Sequence, residues 1–218
     1  MRESPVARRK RAGAIARRLR KAYPGAGCTL DFVDPLQLLV ATILSAQCTD
    51  ERVNEVTKTL FRKYRKAEDF VRAPPDELEE DIRSTGFYRQ KARAIRELSR
   101  DLLHEHGGKV PRALEDLVKL RGVGRKTANV VRAAVWGEAG IIVDTHVKRL
   151  SGPRLALTRE TDPVKIEFDL QKLLPEKDWS LFSQALILHG RHCCKARKPE
   201  CPGCALADLC PFSPKTRP

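Results

Sequence analysis

The stretch Leu120-Arg-Gly-Val-Gly-Arg-Lys126-Thr-Ala-Asn-Val-Val131 constrains this chain more than any other. Two glycines one residue apart open a helical pattern, and a lysine follows two residues after the second. Without a Cβ, Gly122 and Gly124 let backbone N–H groups approach a phosphate closely. The helix that begins there adds its positive N-terminal end at the same place. The turn is built to hold a nucleic-acid backbone, and it delivers Lys126 to it. Asp144 follows within Val143-Asp-Thr-His-Val-Lys-Arg149. A lysine at such a turn is a charge contact or, paired with a carboxylate, a nucleophile.

The charge agrees with a polyanionic partner. Lys and Arg number 42 against 28 Asp and Glu, a formal charge of +14. The excess is uneven. Residues 1–21 are rich in Arg and Lys with Glu3 as their only acid, and residues 119–132 are basic with no acid. Residues 68–81 are acidic. A basic face and an acidic face orient a small protein on nucleic acid. The apolar run Leu36–Ala46 is interrupted and too short for a membrane span. No apolar segment of a secretory signal stands at the N-terminus. The expectation is a cytoplasmic, nucleoid-associated protein with no membrane partner, acting as a monomer.

Almost every periodic segment reads as helix. The basic N-terminus, punctuated by Val6, Ile15 and Leu19, makes an amphipathic helix stopped by Tyr23-Pro24-Gly25. Asp34-Pro35 is an N-cap and first-turn proline. The helix behind it is apolar on several sides and expected to be deeply buried. Val53, Val56, Leu60, Phe61 and Tyr64 stripe the next, and Ala92 to Leu103 mark a third, closed by Gly107-Gly108. Thr127–Val135 is apolar nearly all round, which predicts a central helix. Asp178 is a candidate cap for a helix carrying Trp179, Phe182, Leu186 and His189. Residues 164–170 alternate like a strand, but Asp162-Pro163 and the spacing of Ile166, Leu170 and Leu173 favour helix. Ile141-Ile142-Val143 is strand-like. Ser213–Pro218 reads as a frayed tail.

Five of seven cysteines crowd the C-terminus. Cys194-x6-Cys201-x2-Cys204-x5-Cys210 offers four thiolates on a loop rich in proline and glycine. Four cysteines suit zinc or an iron–sulfur cluster, and ligand count does not separate them. Cys193 is expected to face away, and Cys28 and Cys48 to be small core residues.

Together these residues resemble the endonuclease III family of helix–hairpin–helix DNA glycosylases. The motifs Leu44-Ser-Ala-Gln47-Cys-Thr-Asp50, Gly86-Phe-Tyr88, Gly122–Asn129, Val143–Val147 and the four-cysteine spacing stand in the family's order. The resemblance implies an all-α, two-lobed fold. Residues 28–138 would form a six-helix lobe containing the helix–hairpin–helix at about 115–136. Residues 1–27 and 139–218 would form a discontinuous cluster lobe with its loop at 194–210. The active cleft would lie between the lobes, with Lys126 and Asp144 facing it. The resemblance also implies one four-iron, four-sulfur cluster on Cys194, Cys201, Cys204 and Cys210, with zinc as the alternative.

The implied activity is that of a bifunctional DNA glycosylase and AP lyase of base excision repair. Its partner is duplex DNA carrying damaged bases or abasic sites, and its substrates are oxidised pyrimidines. Gln47 would fill the gap opposite the orphaned base, and Phe87 would wedge the stack, where the family often has leucine. Gly122, Gly124, Arg125, Thr127, His146, Lys195 and Arg197 are candidate DNA contacts, and the cysteine loop would present its basic side chains to phosphates. Arg121 stands where the family commonly has proline, adding a charge beside the phosphate turn. Val118 stands where close relatives are often acidic. Two other readings compete. A non-catalytic helix–hairpin–helix module with a structural metal gives no reason for Lys126 and Asp144 together. Adenine-mismatch glycosylases lack this lysine and carry a further C-terminal domain.

Overall fold

Three helices start where a short polar residue precedes a proline. In the computed structural model, which describes residues 3–213, Ser4, Asp34 and Asp162 each accept a hydrogen bond from the backbone N–H three residues on. The distances are 3.2, 2.9 and 3.0 Å. Each cap satisfies an orphan donor, and the proline that follows has no N–H to lose. The expected frayed tail from residue 214 onward lies outside the described residues.

The helices are α1 (Pro5–Ala22), α2 (Pro35–Leu44), α3 (Asp50–Lys63), α4 (Ala67–Arg72), α5 (Pro75–Asp81) and α6 (Tyr88–His106). They continue as α7 (Leu114–Leu117), α8 (Arg125–Trp136), α9 (Thr145–Arg149), α10 (Pro163–Leu173) and α11 (Trp179–His192). No strand occurs among the described residues, so the fold is all-α. The strand-like Ile141-Ile142-Val143 is instead an irregular buried segment. A lone apolar run has no neighbouring strand to satisfy its backbone, and its side chains join a helical core.

The chain divides into two compact units, Thr29–Trp136 and the flanking segments ending at Cys28 and resuming at Gly137. In the first, α2, α3, α4, α5, α6 and α8 surround a core of Leu38, Leu39, Leu44, Leu60, Leu78, Ile82, Ile95 and Leu98. The single-turn α7 leads into the hairpin. Seven of the ten residues of α2 are buried, as its apolar sides require. The first-unit stripes are otherwise partial: Val56 and Phe61 are half-buried, and Thr57 is buried in their place. Thr57 tolerates this because its hydroxyl donates to the Asn54 carbonyl. The acidic stretch has local work. Asp81 accepts from Lys63 and Tyr64, and Asp69 accepts from the backbone N–H groups of Arg65 and Lys66.

The second unit packs α1 against α10 and α11. Ile15, Leu19, Ile141, Val147, Leu150, Ile166, Leu170, Phe182 and Leu186 form its core. Val6 lies outside it and is 79% exposed. Directly after α9, residues Leu150–Arg154 widen into a π-helical turn. Pro153 has no N–H to give a regular helix, and the Leu155 N–H reaches back five residues to Leu150.

Two expectations fail on burial. α8 is amphipathic rather than central, with Ala128, Asn129 and Val131 buried and the rest half-buried or exposed. Arg125, Lys126 and Arg132 interrupt the apolar run, and of the helix only Lys126 is fully exposed. Cys28 and Cys48 are half-buried, not core residues.

Candidate nucleic-acid interface and metal centre

The hairpin turn closes through the Val123 N–H, which donates to the Leu120 carbonyl at 3.1 Å. Leu120 and Val123 are buried and anchor it. Gly122 takes φ +79°, a conformation that side chains disfavour. A Cβ there would lie 3.7 Å from Ala94 and 3.8 Å from Ile43, so the turn rests on α6 and α2. Gly124 is different: a Cβ there would meet nothing within 4 Å. Its backbone faces open space, and its carbonyl accepts from Ala128 to start α8. Arg125, Lys126 and Thr127 form the first turn of that helix, with Lys126 exposed and its neighbours half-buried. An anion over Gly124 would meet backbone N–H groups and a helix N-terminus together.

Arg121 is already engaged. Its N–H donates to Asp101 at 3.0 Å, and its guanidinium lies 3.8 Å from Glu97. A proline at this position lacks that donor. Val118 is 40% exposed.

Gln47 and Phe87 are the two non-glycine residues of the first unit with left-handed backbones. Their φ values are +54° and +48°, the left-handed region that bulky residues rarely occupy. Both side chains are exposed, Phe87 by 57%. Packing does not account for a large apolar side chain held out in a strained conformation, and such an outlier motivates a functional reading.

In the other unit, Asp144 caps α9. Its Oδ1 accepts from the Val147 N–H at 2.8 Å, and the residue is half-buried. His146, on the next turn of chain, packs on α11. A Cβ at Gly190 would fall 2.8 Å from the His146 Cβ, so the glycine permits the approach. Burial lowers the His146 pKa, opposed by Asp144 and reinforced by Arg149 and Arg191. Lys195 is exposed but pairs with Glu200 at 2.7 Å, and Arg197 is exposed. The Lys195 ammonium in turn holds the Glu200 carboxyl below the usual carboxylate range. Part of the N-terminal basic run turns inward. Arg11 donates to the Leu155 carbonyl at 2.6 Å and pairs with Glu3. Arg18 pairs with Asp208 and donates to the Ala205 carbonyl at 2.9 Å, so α1 braces the cysteine loop.

That loop borders a small pocket lined by Cys193, Cys194, Cys201, Cys204, Cys210 and His189. The tightest donor group is His189, Cys193 and Cys204, whose ligand atoms lie within 4.8 Å of one another. Cys193 therefore does not face away. It follows His189 by four residues at the end of α11, which puts both on one helix face. That spacing was the available signal for the histidine, which reading the cysteines alone misses. Burial pushes the Cys193 thiol up to about 12 and the buried His189 down to about 4. A neutral imidazole with Nε2 3.5 Å from Cys204 is a competent donor.

The surroundings suit bound anionic thiolates. The Leu206 N–H points at the Cys204 sulfur at 3.4 Å. Arg149 donates to the Gly190 and Cys194 carbonyls at 3.0 and 2.8 Å. Burial raises the Cys194 pKa, while Arg154 and Arg149 lower it. Soft donors, an N–H···S contact and nearby guanidiniums fit a metal centre.

Fold and hairpin define a class. Residues 40–176 match the HhH-GPD superfamily of base excision DNA repair proteins, and the chain is a member of it. Endonuclease III of Synechocystis sp. is 55% identical over 207 residues, covering 94% of both chains. Endonuclease III of Bacillus subtilis is 49% identical over 86% of each. A trapped endonuclease III–DNA covalent intermediate, an estranged-adenine complex, superposes with TM-score 0.87 at 45% identity, covering 93% of this chain and 95% of that one. Within the superfamily, this chain belongs to the endonuclease III family. A thermostable thymine-DNA glycosylase, 24% identical with TM-score 0.83, shares the fold. No helix of the described residues is long and apolar enough to cross a membrane.

Proposed function

We propose that Lys126 and Asp144 carry out the chemistry of a bifunctional DNA glycosylase and AP lyase acting on oxidised pyrimidines in duplex DNA. The observation that carries this is an exposed lysine on the first turn of α8, beside a turn whose backbone faces open space. A base inside a duplex is out of reach, so the damaged nucleotide must be extruded. Gly122, Gly124, Arg125 and Thr127 grip the backbone, Gln47 fills the vacated stack and Phe87 wedges it. His146, Lys195 and Arg197 complete the candidate contacts. Lys195 reaches a phosphate only by leaving Glu200.

The Lys126 ammonium first gives its proton to Asp144. The neutral amine attacks C1′, the glycosidic C1′–N bond breaks, and the base departs with its electron pair and takes up a proton. Ring opening leaves an imine between Lys126 and C1′, which acidifies C2′. Loss of a C2′ proton expels the C3′ oxygen, so the strand breaks 3′ to the site. One oxygen of Asp144 caps α9, and in this reading the proton goes to the other. One four-iron, four-sulfur cluster on Cys194, Cys201, Cys204 and Cys210, as in the family, would hold the loop and its basic side chains in place. A monomer working at the nucleoid in the cytoplasm suits this substrate.

Borohydride trapping on lesion DNA tests the reading. Lys126→Arg keeps the charge but cannot form the imine, because guanidinium stays protonated. Lys126→Arg and Lys126→Gln should both lose excision and trapping while binding a non-cleavable abasic analogue. An arginine variant that still excises and traps would end the proposal.

A further inference from the structure

Lys91 is the buried cation of the first unit. It is only 4% exposed, on the inner face of α6, and has no carboxylate among its hydrogen-bond partners given by the structure. Its ammonium instead donates to two backbone carbonyls, Leu44 at 2.8 Å and Thr85 at 2.7 Å. Leu44 is the last residue of α2, and Thr85 ends a 3₁₀ turn over Arg83–Thr85. A cation at two helix C-terminal carbonyls is favourable electrostatically, yet burying an ammonium is costly. Burial accordingly lowers its pKa, opposed by Cys48. A methionine or leucine would fill the same space without that penalty, so a stability role alone is a weak reason for a lysine here.

The two carbonyls are informative by position. Three residues after Leu44 comes Gln47, and two residues after Thr85 comes Phe87. Both side chains are exposed and both backbones are held left-handed, at φ +54° and +48°; the other two such non-glycine residues among those described, Ala156 and Lys198, lie in the other unit. Such conformations cost on the order of 1 kcal/mol each and persist only where neighbouring structure imposes them. Gly86, with φ +70°, swings the chain out between Thr85 and Phe87. Beyond them, α3 and α6 begin at Asp50 and Tyr88 and fix the far end of each loop. Lys91 fixes the near end of both at a single atom.

We propose that Lys91 is a positioning residue that locks the Gln47 and Phe87 loops to one another, so that the two side chains enter the DNA stack as one preset unit. This rests on the reading of Gln47 and Phe87 as the residues that enter the stack. The ammonium acts through the loops and touches neither DNA nor the reacting atoms. Without it the two tips move independently, and each must be ordered at the moment of insertion.

The test uses full-length protein and a duplex with 2-aminopurine beside a lesion, whose fluorescence reports extrusion in stopped flow. Four proteins are compared: wild type, Lys91→Met, the Gln47→Ala/Phe87→Ala pair, and all three changes together. Lys91→Met should slow extrusion about tenfold or more, the scale expected for misplaced groups. Imine trapping on a single-stranded abasic oligonucleotide, where no stack has to be opened, should change far less. Adding Lys91→Met to the pair should slow extrusion little further, because the tips it positions are already gone. Extrusion by Lys91→Met at the wild-type rate, with the pair slow, would overturn the role of Lys91 alone. Losses that multiply in the triple variant would also overturn it, as they mark a general structural defect. A pair that extrudes at the wild-type rate would overturn the stack-entry reading and this inference with it. If Lys91→Met does not fold, Lys91→Gln, which is shorter and cannot span both carbonyls, is put through the same comparison.

Discussion

The Val147 N–H sits 2.8 Å from Oδ1 of Asp144. The carboxylate proposed to take the lysine proton is therefore also the cap of α9. The two roles separate by substitution. Asp144→Asn keeps an oxygen acceptor for the cap and loses the base, so it should melt near wild type but excise very slowly. Asp144→Ala loses the cap as well and should be about 1 kcal/mol less stable. Thermal melting with single-turnover excision checks both. An asparagine variant as unstable as alanine would remove the cap argument.

Gly190 and His146 are in forced proximity. A Cβ at position 190 would lie 2.8 Å from the His146 Cβ and 2.9 Å from its Nδ1. Gly190→Ala should destabilise the protein by about 1–3 kcal/mol, the usual range for overpacking. Denaturant unfolding measures it, and a change below half that range would show that α9 and α11 part easily.

Cys193 lies with His189 and Cys204, while Cys194 has the family's ligand spacing. Protein prepared without oxygen should be yellow-brown with about four irons per chain. Cys194→Ser should lose iron and visible absorption, and Cys193→Ser should keep most of both. Equal loss in the two variants would bring Cys193 into the ligand set, and stoichiometric zinc with no visible band would reject the cluster.

Arg125→Ala should weaken binding to damaged and undamaged duplex alike and lower the log–log salt slope by about one. Lys195→Ala should do less, because Glu200 already holds the ammonium at 2.7 Å. Glu200→Gln should strengthen binding, most clearly at low salt, by releasing Lys195 and removing a negative charge. Titrations across a salt series decide. A Glu200→Gln protein that binds more weakly would place this loop away from phosphates.

Much of this protein is written locally in its chain. The starts at Ser4, Asp34 and Asp162 depend on one side chain and the backbone three residues on, and the stop at Gly107 depends on a residue free to turn left-handed at φ +58°. The hairpin is equally local, since Gly122 and the Leu120–Val123 bond lie within four residues. Spacing brought the cysteines to one loop, because chain connectivity limits how far they can stray. What distant partners decide was not legible. Ile141–Val143 has the composition of a strand, yet no strand pairs with it, and it became buried loop. Arg11 and Arg18 read as basic surface until Leu155 and Asp208, far along the chain, took them. Lys91 sits in a basic, exposed-looking stretch of sequence, and only the convergence of two loops buries its ammonium between carbonyls. Periodicity reports which face a helix buries. Which polar group that burial encloses depends on the chain ends brought against it, and those are set by tertiary packing.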